Sequence, residues 1–259
     1  MPKQSTKQKQ PSSDKSRRST RNGRKGSDNV VPMAAYAPSE AANEDRSGPP
    51  KLKPMNKAQG QYLTTIQSNL LTLGTGPAGT GKTYVCTAYA AEQLIDRKIS
   101  KIIVTRPAIE ASGKGMGFLP GSIEEKFAPY FEPFRRILVS YFGESNLEYM
   151  IKKGRVEIAP LEYLRGLTFE NAFVILDEAQ NTTPAQMKLF LTRIGEYSTV
   201  VVNGDTDQKD IKGLSGLEDA IQRLGDCPDV AQFEFTELDI VRSGLVREIL
   251  KRYRVAAKA

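Results

Sequence analysis

Residues Gly76 to Thr83 read GPAGTGKT, and this eight-residue run decides the fold. It has the spacing of a P-loop, with an apolar stretch before it (residues 70–73) and an amphipathic one after it (residues 82–96). The glycine-rich turn therefore falls between an expected strand and an expected helix. Glycines let consecutive backbone N–H groups turn inward with no Cβ in the way, which is what a phosphate cradle needs. The expected nucleotide-binding residues are Gly76, Pro77, Ala78, Gly79, Thr80, Gly81, Lys82, Thr83 and the adjacent Tyr84. Lys82 is expected to reach the β- and γ-phosphates of ATP and Thr83 to offer its hydroxyl to Mg²⁺, with the positive end of the following helix aimed at the anion.

Outward from this turn, short β-rich runs alternate with longer amphipathic segments, the pattern of a parallel sheet flanked by helices. Strands are expected at residues 70–73, 102–105, 156–159, 172–176, 199–202 and 232–235. Helices are expected at 82–96, 123–141, 184–194, 217–224 and 244–253. Several of the strands are uninterruptedly apolar, as interior strands covered on both faces are. Thr183 followed by Pro184 supplies an N-cap and a proline in the first helical turn. The fold class read from this pattern is α/β: one P-loop NTPase domain with a mainly parallel sheet and no internal repeat.

The second element is AFVILDEAQ at Ala172 to Gln180, an apolar strand ending in two carboxylates, the form of a Walker B element. Asp177 is expected in the Mg²⁺ shell, and Glu178 is expected to orient and deprotonate the attacking water. A small-molecule kinase needs no water-activating acid there, so Glu178 points to hydrolysis. The third element, GDTDQ at Gly204 to Gln208, follows another apolar strand. Gln208 is expected near the γ-phosphate or its water, and Asp205 in support of the Mg²⁺ shell.

Composition narrows the chemistry further. The 259 residues hold no histidine, which excludes a Ser-His-Asp hydrolase, a His-ligated zinc hydrolase and a His proton shuttle. Two distant cysteines, Cys86 and Cys227, form neither a disulfide framework nor a CxxC metal site. With no apolar run of spanning length and no secretory signal, the expected location is cytoplasmic. The formal charge of +7 is unevenly placed. Residues 1–57 carry 13 Lys plus Arg against 5 Asp plus Glu, or +8, leaving 24 against 25, or −1, for residues 58–259. Pro2 to Asn29 contains no Val, Ile, Leu, Phe or Tyr, so residues 1–57 are expected to be a disordered basic tail and linker, and residues 58–259 the folded domain. Arg17, Arg18, Arg21, Arg24 and Lys25 suit either a nucleic-acid contact or a solubilising arm.

Taken together, these residues resemble the PhoH-like ATPases. The resemblance runs from about Lys57 to Tyr253 through GPAGTGKTY, TRPA (Thr105 to Ala108), GFLPG (Gly117 to Gly121), APLEYLRG (Ala159 to Gly166), ILDEAQNTT, LTRIG, GDTDQ and DIVRSGLV (Asp239 to Val246). It implies a single RecA-like core related to superfamily 1 helicases, ATP and Mg²⁺ as ligands, and RNA or single-stranded DNA as a partner. A Gln upstream of the first strand, Gln59 or Gln61, would stand where those helicases read adenine. Helicases of that class place ATP between two cores, whereas this chain has one. A homo-oligomeric ring, such as a hexamer, is therefore expected, with Arg242 supplied in trans to the γ-phosphate and Arg193, Arg165 and Arg106 as reserves. Ser243 stands where family members commonly carry His, and no room is expected for an appended nuclease domain.

The segment 113–133 is too long for an ordinary crossover loop. Its Phe118, Phe127, Tyr130 and Phe131 suit either base stacking or packing, and packing is the favoured reading. Beside the nucleic-acid ATPase stand two other functions: a regulatory nucleotide switch acting on a protein, and a small-molecule kinase.

Overall fold

The computed structural model describes residues 48–107, 123–164 and 166–241. Expectations that fall elsewhere lie outside the described residues: the tail through residue 47, the aromatic Phe118, the 244–253 helix, and the arginines Arg165 and Arg242. The same holds for the side chain of Phe127.

Six strands form one sheet in the order β3-β2-β4-β5-β1-β6, and every pairing is parallel. They are β1 (Leu71–Thr75), β2 (Lys101–Arg106), β3 (Val156–Pro160), β4 (Ala172–Leu176), β5 (Thr199–Gly204) and β6 (Val230–Glu234). This is the RecA-like architecture that the resemblance implies. The expected strands hold to within two residues. The sixth begins earlier than its apolar residues suggest, because pairing with β1 in the register Leu71↔Val230 sets its start.

Side chains alternate between two cores, as strand geometry requires. Ile102, Val104, Phe173, Ile175 and Val201 face one side, packed under α1 (Lys57–Ser68), α2 (Lys82–Ile95), α3 (Ile123–Phe142) and α4 (Glu144–Lys152). Ile103, Val174, Leu176, Val200 and Val202 face the other, packed under α5 (Pro184–Leu191) and α6 (Gly216–Leu224). Helix α2 buries Ala88, Ala90 and Ala91, whose small side chains let it lie close over the sheet. Pro129 and Pro133 sit inside α3, each removing a helical N–H. The helix continues because Phe131, Phe134, Leu138 and Tyr141 bury in the first core. Phe131 lies parallel to Phe134 at 6.2 Å, so the packing reading of that aromatic holds.

Two helices were not expected from the pattern, α1 and α4. Helix α1 starts at an Asn56 N-cap whose side chain accepts from the Gln59 N–H. Just before it, the Leu52 N–H donates to Glu92 Oε1 at 2.5 Å. Helix α5 ends at Leu191, short of the expected 194, because Ile194 bridges to Phe169 beside the sheet. Its start follows the Thr183 cap and Pro184, with a full capping box through Gln186.

Beneath the P-loop, α1 and the sheet share a buried polar chain. The Tyr62 hydroxyl donates to Asn203 Oδ1 at 2.5 Å, and Asn203 Nδ2 donates to Cys86 Sγ at 3.4 Å. Gly74 leaves room for it: a Cβ there would stand 2.7 Å from Asn203 Oδ1 and 2.8 Å from the Tyr62 oxygen. Removing one partner strands the other in a dry core. Tyr62→Phe is expected to cost about 1–3 kcal/mol. For a domain of this size that corresponds to a fall in Tm of roughly 2–12 °C, measurable by thermal melting.

Candidate active site

The strand registers bring the three sequence elements to one end of the sheet. Thr75 pairs with Gly204, Leu176 with Val202 and Thr105 with Leu176. The residues that follow these strands therefore gather outside the carboxyl ends of β1, β5, β4 and β2, where open α/β sheets bind ligands. There Ala78 to Tyr84, Asp177, Glu178, Gly204, Asp205 and Gln208 line one cleft of about 260 Å³.

Gly76, Gly79 and Gly81 all have positive φ, at 123°, 87° and 93°, as a loop of inward-turned amides demands. A Cβ on Gly76 would stand 2.3 Å from the Phe235 carbonyl oxygen, and one on Gly81 would stand 2.4 Å from Gln59 Nε2. The loop is thus seated tightly on α1 and on Phe235, the residue that follows β6. Gln59 is buried, and its amide is spent on the protein: Nε2 donates to the Thr80 carbonyl, and Oε1 accepts from the Met55 N–H. It braces the P-loop from behind, which corrects the adenine-reading expectation for Gln59, while Gln61 is exposed on α1. The Val241 N–H donates to the Gly79 carbonyl, so the chain just before Arg242 is tied to the same loop.

Lys82 Nζ lies 2.6 Å from the Gly76 carbonyl oxygen and 3.0 Å from that of Pro77, folded across the mouth of its own loop. Burial pulls its pKa below the ordinary lysine value, opposed by Asp205, Asp177 and Glu178. Thr83 Oγ1 lies 3.4 and 3.5 Å from the two Asp177 oxygens. Burial, reinforced by the neighbouring Glu178, pushes the Asp177 pKa up to about 6, with Arg106 and Lys82 opposing. An acidic oxygen held this way beside a hydroxyl suits a cation. Among the described residues no group of three or more His, Cys, Asp or Glu converges as a metal cage. Mg²⁺ suits such a site, because it takes one or two protein oxygens and completes its shell with phosphates and water.

Glu178 adopts a left-handed backbone, φ 53° and ψ 38°, uncommon for a residue with a side chain and a mark of functional sites. Its Oε2 accepts from Gln180 Nε2 at 2.5 Å. Gln180 was not singled out by the sequence pattern, yet it joins two of the elements: it is buried, and its Oε1 accepts from the Asp205 N–H. Asp205 in turn accepts from Gln208 Nε2 at 2.6 Å. Gly204 makes room, since a Cβ there would stand 2.8 Å from Gln180 Oε1.

The reserve arginines separate. Arg193 follows α5, and its carbonyl accepts from the Phe169 N–H just ahead of β4, at the end of the sheet opposite the cleft. Arg106 closes β2 and sits in cis, with Nη2 3.3 Å from Glu178 Oε1 and its Cζ 5.3 Å from the centre of the Tyr130 ring. Within the chain itself, Arg106 is thus paired with Glu178.

The PhoH-like protein family profile matches residues 51–254. The chain belongs to the PhoH family. The chain is 48% identical over 228 residues to Protein PhoH of Escherichia coli (strain K12), covering 86% of this chain and 64% of that protein. It is 46% identical over 197 residues to the PhoH-like protein of Bacillus subtilis (strain 168), covering 75% and 61%. The chain thus spans less than two thirds of the length of these curated relatives. Among solved structures it is similar to the UvsW helicase from bacteriophage T4, with a TM-score of 0.47, 12% identity, and 73% and 62% of the two chains covered. Among the described residues, no helix is long and apolar enough to cross a membrane.

The raised Asp177 pKa gives a pH prediction for the nucleotide-free protein. An acid whose folded pKa of about 6 exceeds the ordinary aspartate value of 3.8 binds its proton more tightly when folded. Its contribution to stability therefore declines as pH rises from about 4 to 6. Below about pH 6 the protonated acid is a poor cation ligand. Mg²⁺-dependent binding of a fluorescent ATP analogue is expected to weaken on acidification through that value, as a titration between pH 5 and 8 would register.

Proposed function

We propose that this member of the PhoH family is a Mg²⁺-dependent ATP hydrolase whose turnover is coupled to work on RNA or single-stranded DNA. The observation that carries the reading is the convergence of Lys82, Thr83, Asp177, Glu178 and Gln208 on one cleft at the carboxyl ends of β1, β4 and β5. In this reading the P-loop amides and the Lys82 ammonium hold the β- and γ-phosphates. Thr83 and Asp177 hold Mg²⁺, which when bound offsets charge on the phosphate oxygens. Glu178 accepts the proton of the attacking water on a carboxylate oxygen, and Gln208 orients that water from the facing loop. Tyr84, half-exposed at the rim of the cleft, borders the nucleotide.

A homo-oligomeric ring, such as a hexamer, would allow Arg242 of one subunit to reach the γ-phosphate of its neighbour, an effect typically worth about 10³–10⁵ in rate. In this reading the basic arm ends before Leu52, which with the Asn56 cap already packs on the domain, and the chain from there on is the ATPase domain of a cytoplasmic protein. The charge of +8 on residues 1–57 beside −1 on residues 58–259 supports a role for the arm in polyanion binding.

The test is ATP turnover with and without single-stranded RNA or DNA, on the full chain and on a chain starting at Lys51. Stimulation by the polymer, with a salt dependence that flattens when the arm is removed, is the expected result. Turnover indifferent to any nucleic acid would favour a switch acting on a protein instead.

A further inference from the structure

The pair Arg106–Glu178 has more to it than charge balance. Both oxygens of the Glu178 carboxylate are engaged, by different elements: Oε1 by Arg106 from the end of β2, and Oε2 by Gln180 from the turn after β4. Each donor takes one of the roughly four acceptor sites of the carboxylate and, pulling on opposite oxygens, the two together fix the direction in which the remaining sites point. Gln180 belongs to the same turn as Glu178 and moves with it. Arg106 does not, because its position comes from the β2–β4 register, which sets Thr105 beside Leu176. Pro107 follows directly, denying the strand a further N–H and holding Arg106 at its end. Arg106 is also partly exposed, at 26%, so a solute can reach its guanidinium.

We propose that Arg106 is a positioning residue that acts as a brake: in the resting chain it holds Glu178 off the water, and a phosphodiester of single-stranded nucleic acid releases the carboxylate by taking over the guanidinium. The competitor must be anionic to displace a carboxylate. The planar fork of a guanidinium can grip the two non-bridging oxygens of a phosphodiester with two parallel hydrogen bonds. Tyr130 supplies an aromatic ring 5.3 Å from the same guanidinium, the kind of neighbour that a single strand stacks on and a plain anion does not use. The proposal rests on the reading of Glu178 as the base of an ATP hydrolase.

The test uses the full chain with Arg106→Gln and Arg106→Lys. Removing the brake is expected to raise polymer-free turnover roughly five-fold, the population shift that a partly exposed ion pair can hold. The KM for ATP should move less than about two-fold, and the Lys variant should fall between Gln and wild type. Stimulation by poly(U) should shrink towards one in Arg106→Gln, while polyglutamate should stimulate neither protein. Independently of turnover, a thermal double-mutant cycle on nucleotide-free protein, Arg106→Gln against Glu178→Gln, should show a coupling of about 1–3 °C in Tm. Unchanged or lower basal turnover, an undiminished poly(U) effect, stimulation by polyglutamate, or an additive cycle would each overturn the proposal. The hydrolase reading fails on a different result, a wild-type chain that releases no phosphate with or without polymer.

Discussion

Glu178→Gln is expected to bind Mg·ATP about as well as the parent chain and to lose roughly 10²–10⁴ of its turnover, the share typical of a general base. The amide keeps the shape of the carboxylate and its bond to Gln180, but it cannot accept a proton from water. Because the left-handed backbone at Glu178 is unchanged, the cleft stays intact, and the damage falls on kcat. Equilibrium binding of a fluorescent ATP analogue beside steady-state phosphate release separates the two effects. Loss of binding equal to the loss of turnover would make Glu178 a structural residue.

Lys82→Ala is expected to fail earlier, at binding. Its ammonium is the charge folded over the loop mouth, 2.6 Å from the Gly76 carbonyl, and nothing else in the loop carries a positive charge. Removing a preorganised cation from a phosphate site typically costs about 10²–10³ in rate, and here the affinity for nucleotide falls with it. The two variants are distinguished by thermal shift. Saturating Mg·ATP should raise the Tm of Glu178→Gln as it does for the parent chain, because a ligand stabilises whatever it binds. Lys82→Ala should show no rise. A shift of parental size in Lys82→Ala would remove the lysine from the site.

The parts of this molecule that were legible in the sequence are those with local signals. The P-loop glycines, the apolar runs of β1, β2, β4 and β5, and the Thr183–Pro184 start of α5 each announce themselves within a few residues. Helix α1 does not: its sequence KAQGQYLTTIQS is largely polar, and the face it buries is Gln59, Tyr62 and Ile66. A buried glutamine reads as solvated until the Thr80 carbonyl that it braces is known. Helix α4 is nine residues long and offers too few turns for its periodicity to stand out.

The site followed the same division. Lys82, Thr83, Asp177 and Glu178 were legible because each stands at a fixed offset from its own strand. Gln180 and Arg106 were not, since their roles come from pairing between strands. Arg106 is 72 positions ahead of Glu178, and only the lateral placement of β2 beside β4 brings the two together. The same sheet order separates β1 from β4 by β5, so GDTDQ enters the cleft between the other two elements and Gln180 can reach Asp205.

The central claim, that this cleft breaks the bond to the γ-phosphate of ATP, is tested most directly by single-turnover phosphate release. The purified full chain, in excess over γ-labelled ATP, would be followed with Mg²⁺ and with the metal chelated. The account predicts one phosphate released per ATP with Mg²⁺, almost none under chelation, and almost none from Glu178→Gln despite bound nucleotide. Release at the parental rate from Glu178→Gln, or none from the parent chain with Mg²⁺ and single-stranded RNA present, would contradict it.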